Sequence, residues 1–314
     1  TGTHPAVTIS AGTATQLVLG GLTNAVAGTS QSLTVTARDA AGNTATGYLG
    51  TVHFTSPDGQ AVLPVDYAFL SGDAGVHTFS GVVLKTAGSQ TVTGTDTGTG
   101  TITGTHPAVT ISAGTATQLV VTTGPPTSVA AGIGFGLVVT ALDGQGNTAA
   151  GFTSSVGVSI ATGPSGATLS GTHLATAGSG VATFSSLNLD KAGSYTLDVA
   201  DSSGAGLTGT TTAAFTVTPG TVSAGQSTVV ASSGSIAAGT GSTTITLTAR
   251  DANDNLISGA TVALTSTGAN NSFTADSNGT TDGSGVFTRT FSSLTAEAKT
   301  ISATINSVAI TQTA

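Results

Sequence analysis

Asp39-Ala-Ala-Gly-Asn43-Thr-Ala-Thr-Gly47 returns twice in this chain with its Asp-x3-Asn-x3-Gly spacing intact. It recurs as Asp143-Gly-Gln-Gly-Asn147-Thr-Ala-Ala-Gly151 and as Asp251-Ala-Asn-Asp-Asn255-Leu-Ile-Ser-Gly259. A period of this size marks tandem copies of one small module. Each copy lies between two alternating runs. Ser32-Leu-Thr-Val-Thr-Ala-Arg38 precedes the first and Thr51-Val-His-Phe-Thr55 follows it; Thr244-Ile-Thr-Leu-Thr-Ala-Arg250 and Ala260-Thr-Val-Ala-Leu-Thr265 flank the third. Apolar and hydroxyl residues alternating at period two predict half-buried strands. Asp and Asn fold back on their own backbone and Gly supplies positive φ, so each copy reads as a strand–turn–strand corner.

Working outward, the string Thr1-Gly-Thr-His-Pro-Ala-Val-Thr-Ile-Ser10 recurs at Thr103–Ser112, where it follows the strand-like Gln90-Thr-Val-Thr-Gly-Thr95. At 103 it is the last strand of a module, so residues 1–13 read as an orphan final strand, with Thr3, Pro5, Val7 and Ile9 as its assembly residues. Modules are expected at 14–113, 114–220 and 221–314. Short strands separated by turn signals, with no helical apolar period, predict an all-β chain of three antiparallel sandwiches. Short joints between modules predict a rod.

Composition narrows function by exclusion. Charged residues are 6% and the net charge is −8. No basic stripe exists to neutralise phosphates, so nucleic acid is not an expected partner. No apolar run approaches a membrane span. Cys is zero, which excludes disulfides, thiolate metal sites and Cys nucleophiles. Hydrophobic residues are 38% and mean hydropathy is +0.31, enough for a narrow core in each module. Met is zero and no leader precedes Thr1, so a processed chain or fragment is expected. Few lysines among many Thr, Ser and Gly suit an extracellular protein of a bacterial surface.

The module-three strings TLTARDANDNLISGATVAL (246–264) and TDGSGVFT (281–288) resemble the bacterial immunoglobulin-like domains of the invasin/intimin family. TARDAAGNTATGY (36–48), VHTFSGVVLKTAGSQTVTGTD (76–96) and ATFSSLNLDKAGSYTLDV (182–199) resemble related repeats of large bacterial surface proteins. The resemblance implies an immunoglobulin-like fold and a stalk or fibre role. It does not carry over receptor binding, because the family's disulfide-bearing tip has no counterpart in these residues.

Candidate chemistry is sparse. His4, His53, His77, His106 and His173 show no metal-ligand spacing, and no nucleophile elbow is present, so no enzyme is expected and no cofactor beyond calcium. Asp251-Ala-Asn-Asp-Asn255 resembles the Asp-x-Asn-Asp-Asn linker motif of cadherins, which makes Asp251, Asp254 and Asp282 the calcium candidates; an ordinary Asx turn is the alternative. Lys85, Lys191 and Lys299 do not align between modules and are expected to be solvated.

Two functional readings remain. One is a structural segment of a fibre or adhesin stalk whose partners are other copies, assembled head to tail with residues 1–13 completing module three, either as one period of a longer covalent array or by strand addition between separate subunits. The other is an adhesin module that grips a glycan or protein through its loop tips. Writing Ala314 directly before Thr1 parallels the run into Ser112, which favours the first.

Overall fold

The computed structural model describes residues 6–204 and 206–314. The chain is built almost wholly of strands; the one helical piece among the described residues is a 3-10 turn at Ser71–Asp73. In module one, Gln16–Gly20, Ser30–Arg38 and Val76–Val83 form one sheet. Tyr67–Ala68, Thr51–Thr55, Thr93–Asp96 and Thr103–Thr105 form the facing one. Along Ser30–Arg38, Leu33, Val35 and Ala37 point inward and are fully buried, while the intervening threonines face out. That alternation is the pleat acting on the sequence pattern. Ring pairs such as Phe54–Phe79, 4.9 Å apart and near edge-on, fill the space between the sheets.

Modules two and three repeat the plan around separate apolar clusters. Leu137, Phe184, Tyr195 and Val217 belong to the second, and Ile245, Leu247, Phe291 and Ile305 to the third. The paired strands Ser30–Arg38 with Val76–Val83, and Phe135–Leu142 with Val181–Leu189, each carry a register irregularity. Thr243–Thr248 with Val286–Ser293 carries none. Residues beyond that point in module three therefore match module two at an offset of 104 instead of 105.

A short third sheet closes module one, and in module two the corresponding strands extend the facing sheet. Val109–Ser112 pairs in parallel with Ala25–Val26 and antiparallel with Gly88–Gln90. Phe215–Thr218 does the same between Ser128–Ala130 and Gly193–Asp201. This final strand buries Val109 and Ile111 in module one and Phe215 and Val217 in module two.

Candidate assembly site

The recurring corner is held by one carboxylate. The Asp39 N–H donates to the Asn43 carbonyl and the Gly42 N–H to the Asp39 carbonyl, both at 3.0 Å. Asp39 Oδ1 accepts the N–H groups of Ala41 (3.0 Å) and Asn43 (2.8 Å). Asp143 and Asp251 make the same two bonds to residues two and four ahead. This is the Asx-turn chemistry that the spacing implies.

The second oxygen does something the spacing does not show. Asp39 Oδ2 accepts the N–H of Gly12 at 2.8 Å, Asp143 Oδ2 that of Gly114 at 2.8 Å, and Asp251 Oδ2 that of Gly220 at 2.7 Å. Each glycine lies in the segment entering its module. One buried carboxylate thus ties the corner to the incoming chain. In the sequence, a small residue or Pro before that glycine (Ser10-Ala-Gly12, Ser112-Ala-Gly114, Pro219-Gly220) was the available signal.

These bonds set the charge state. The Gly12 N–H and the Asn43 amide hold Asp39 below the usual carboxylate range. Burial pushes Asp143 and Asp251 up, but the Asn147 and Asn255 amides and the surrounding N–H groups outweigh it, so both are also lowered. Because the folded pKa lies below the unfolded value of about 3.9, the corners contribute stability above that pH and lose it as pH falls through the folded values. Melting temperature is expected to be flat between about pH 7 and 5 and to fall steeply below about pH 4; thermal melts across that range check it.

The asparagine of each corner reaches backward across the joint. Asn147 Oδ1 accepts the Ala87 N–H and Asn147 Nδ2 donates to the Lys85 carbonyl, both at 2.8 Å. Asn255 repeats the pair on the Ala192 N–H and the Asp190 carbonyl, again at 2.8 Å. Lys191 Nζ adds a bond to the Asn253 carbonyl at 3.2 Å. Lys191 is therefore a joint residue and not a free solvated lysine. Lys299 also departs from expectation: its side chain is 9% exposed, donates to the Ala269 carbonyl and pairs with Glu297.

Module three has a place for a final strand, and no described residue occupies it. The Ala314 N–H donates to the Ile301 carbonyl, as His106 does to Val92 and Thr212 to Leu197. Ala314 thus stands where His106 and Thr212 stand, immediately ahead of the final strands of their modules. Beside it lies a groove of about 420 Å³, lined by Ile236, Ala238, Phe291, Ala298 and Ile301 among others. Ala238 is exposed, whereas its counterpart Ala131 in module two is buried under Phe215–Thr218 and donates its N–H to Thr218.

At the other end of the chain, Ala6–Ser10 repeats Ala108–Ser112 residue for residue. Val7 is 85% and Ile9 91% exposed, against 5% for Val109 and 2% for Ile111. Residues 6–10 form no ladder with any other described residue. Thr3 and Pro5 lie outside the described residues. By this bond Ala314 matches His106, and not the Ile102 that stands before the repeated string at Thr103.

The calcium candidates do not converge. The Asp251 carboxylate is taken up by its corner and Asp254 pairs with Arg250 at 3.0 Å. Asp282 Oδ1 accepts the Ser284 and Val286 N–H groups. Among the described residues, no group of three or more acidic or histidine side chains is placed to hold a metal ion. No helix among them is long and apolar enough to cross a membrane.

Residues 225–314 match the family model of the bacterial Ig-like domain (group 1). No curated protein matches the chain. Among solved structures, the Escherichia coli adhesin FdeC is 23% identical, with 97% of this chain and 98% of that chain covered and a TM-score of 0.52. Yersinia pseudotuberculosis InvD is 21% identical over 95% of this chain and 96% of its own, at a TM-score of 0.41. Invasin, an integrin-binding protein, is 20% identical over 95% of this chain and 60% of its own, at 0.44. The FdeC superposition shows a shared fold along nearly the whole chain. Module three matches that family model, and it follows two modules of the same immunoglobulin-like sandwich fold.

Proposed function

We propose that this chain is a structural segment of a bacterial extracellular fibre or adhesin stalk, in which copies join head to tail and the strand Ala6–Ser10 of one copy completes module three of the next. The reading rests on one observation: the same five-residue string buries its Val and Ile at 109 and 111, leaves them bare at 7 and 9, and module three has an open groove at the position of its final strand. Main-chain pairing along an open sheet edge supplies affinity, and the alternating apolar face fixes register. The resulting contact is heterologous and does not close on itself, so it propagates. A surface or secreted setting, and a non-enzymatic role, follow from that use and fit the sparse charge and absent cysteine.

The register can be written from modules one and two. Ile111 lies opposite Ala25 and Gly88, and Thr110 opposite Ser89. By correspondence Ile9 lies opposite Ile236, and Thr8 opposite Ala298. The chain contains no cysteine, so the pair Thr8→Cys and Ala298→Cys is a clean reporter. Under mild oxidation the double variant is expected to form a disulfide-linked ladder of copies, and each single variant to form nothing beyond a dimer. A double variant that stays monomeric at high concentration defeats the reading.

A further inference from the structure

The two joints inside the chain use one device, and half of that device stands open at each end. At both joints a corner asparagine accepts one N–H and donates to one carbonyl on the loop of the module before it. Asn43 is the same residue of module one. Its Nδ2 donates to the Asp39 carboxylate at 3.1 Å, as Asn147 does to Asp143 at 3.0 Å. Its Oδ1 accepts nothing among the described residues. Gly12, meanwhile, is already bonded to Asp39 as Gly114 is to Asp143. The corner of module one therefore holds its incoming strand in the pose of a finished joint.

The complementary half lies on module three. At an offset of 104, the Asp190 carbonyl and the Ala192 N–H correspond to the Leu294 carbonyl and the Ala296 N–H. Neither of these takes part in a hydrogen bond among the described residues. Leu294 is 73% exposed, beside the groove that lacks its strand. The turn next to it also matches. Gly28, Gly132 and Gly239 all have positive φ, near +80°, and their N–H groups donate to the carbonyls of Leu84, Leu189 and Ser293. At the internal joints this turn receives an amide from the following corner. A Cβ on Gly28 would meet Gln145 Nε2 at 3.1 Å, and one on Gly132 would meet Asn253 Nδ2 at 3.1 Å. Gly239 has no such neighbour among the described residues.

We infer that Asn43 is an intermolecular clamp: it accepts the Ala296 N–H and donates to the Leu294 carbonyl of a second copy, reproducing the internal joint between copies. This rests on the head-to-tail reading and adds to it. Strand insertion alone joins two copies through the connection at Gly12; the clamp adds a second contact that fixes the orientation of one copy on the next. The occupant is a second copy because its module three carries both halves of the complement, the carbonyl and N–H pair and the open glycine turn.

The test separates the clamp from the strand. Association of the full chain is followed by sedimentation, with a peptide of residues 1–14 titrated into the same proteins as a probe of the groove. Asn43→Ala removes two hydrogen bonds and is expected to weaken chain association by roughly tenfold or more. The peptide lacks Asn43 and is expected to bind wild type and N43A equally, which shows that the groove is intact, and an unchanged melting profile of N43A shows that its module one is folded. Ala41→Asn supplies at module one the amide that Asn253 presents to Gly132, and is expected to tighten association. Unchanged association in N43A, with peptide binding intact, overturns the clamp and leaves strand insertion standing. No peptide binding and no association of the wild-type chain overturns both.

Discussion

Asp143→Ala is expected to lower the stability of module two by about 3 kcal/mol, because three backbone N–H groups and one side-chain amide lose a buried anionic acceptor together. Asp143 is 2% exposed, and its oxygens accept from Gln145 and Asn147 (2.9 and 2.8 Å), from Gly114 (2.8 Å) and from the Asn147 amide. For a module of about 100 residues this corresponds to a fall in melting temperature on the order of 15 °C. The loss is not confined to the turn. Asn147 is aimed at Lys85 and Ala87 by its bond to Asp143, so the joint to module one loosens with the corner. Asp143→Asn is expected to fall between the two: its Oδ1 still accepts from Gln145 and Asn147, but its Nδ2 faces the Gly114 N–H donor to donor. Asn147→Ala is expected to leave a module-two fold with a freer joint. Differential scanning calorimetry gives the order of melting temperatures, and small-angle scattering reads the joint. Equal melting of wild type and D143A shows that the carboxylate is dispensable.

That prediction marks where the sequence was legible and where it was not. The corner is readable because its chemistry is local. Asp39 bonds residues two and four ahead, so the requirement appears as a fixed spacing. The strands are readable because the pleat turns burial into alternation, and Leu33, Val35 and Ala37 obey it. The joint is not readable this way. Asn147 meets partners 60 and 62 positions behind it, and those partners are backbone atoms, which every residue carries. A side chain that binds main chain leaves no signature at the far end, and Lys85 and Asp190 share no chemistry. The burial of Lys299 is not legible in the sequence for a related reason. It stands where Tyr195 fills the core of module two, so its surroundings come from the fold and not from its own polarity. The unfilled strand position lies between these cases. The repeated string shows that Ala6–Ser10 and Ala108–Ser112 share one sequence, but only the bond from Ala314 to Ile301 aligns module three with the others, by setting Ala314 against His106.

Appending a second copy of residues 5–12 directly after Ala314 is expected to raise the melting temperature of module three by on the order of 10 °C and to abolish association. The added Pro-Ala-Val-Thr-Ile-Ser enters the path that Pro107–Ser112 takes after His106. Its Val and Ile pass from the exposure seen at Val7 and Ile9 to the burial seen at Val109 and Ile111. Each such side chain contributes about 1.5–3 kcal/mol on full burial. Ordering the backbone costs about 1–2 kcal/mol per residue, most of it offset by new ladder bonds to the segments around Ile236 and Ala298. A net gain of about 2 kcal/mol is what the shift above assumes. Placing Asp at the appended Val and Ile is expected to remove the whole gain, since a charge on that face enters the core. The self-complemented chain also has no vacancy for a neighbour, so the Thr8→Cys and Ala298→Cys ladder is expected to disappear from it while melting rises. The two readouts must move in opposite directions. A rise in stability with the ladder intact means that the appended strand packs somewhere other than the groove. A ladder lost without added stability means that it blocks the groove and does not complete the sheet. Either result breaks the equivalence between Ala6–Ser10 and the final strand of module one.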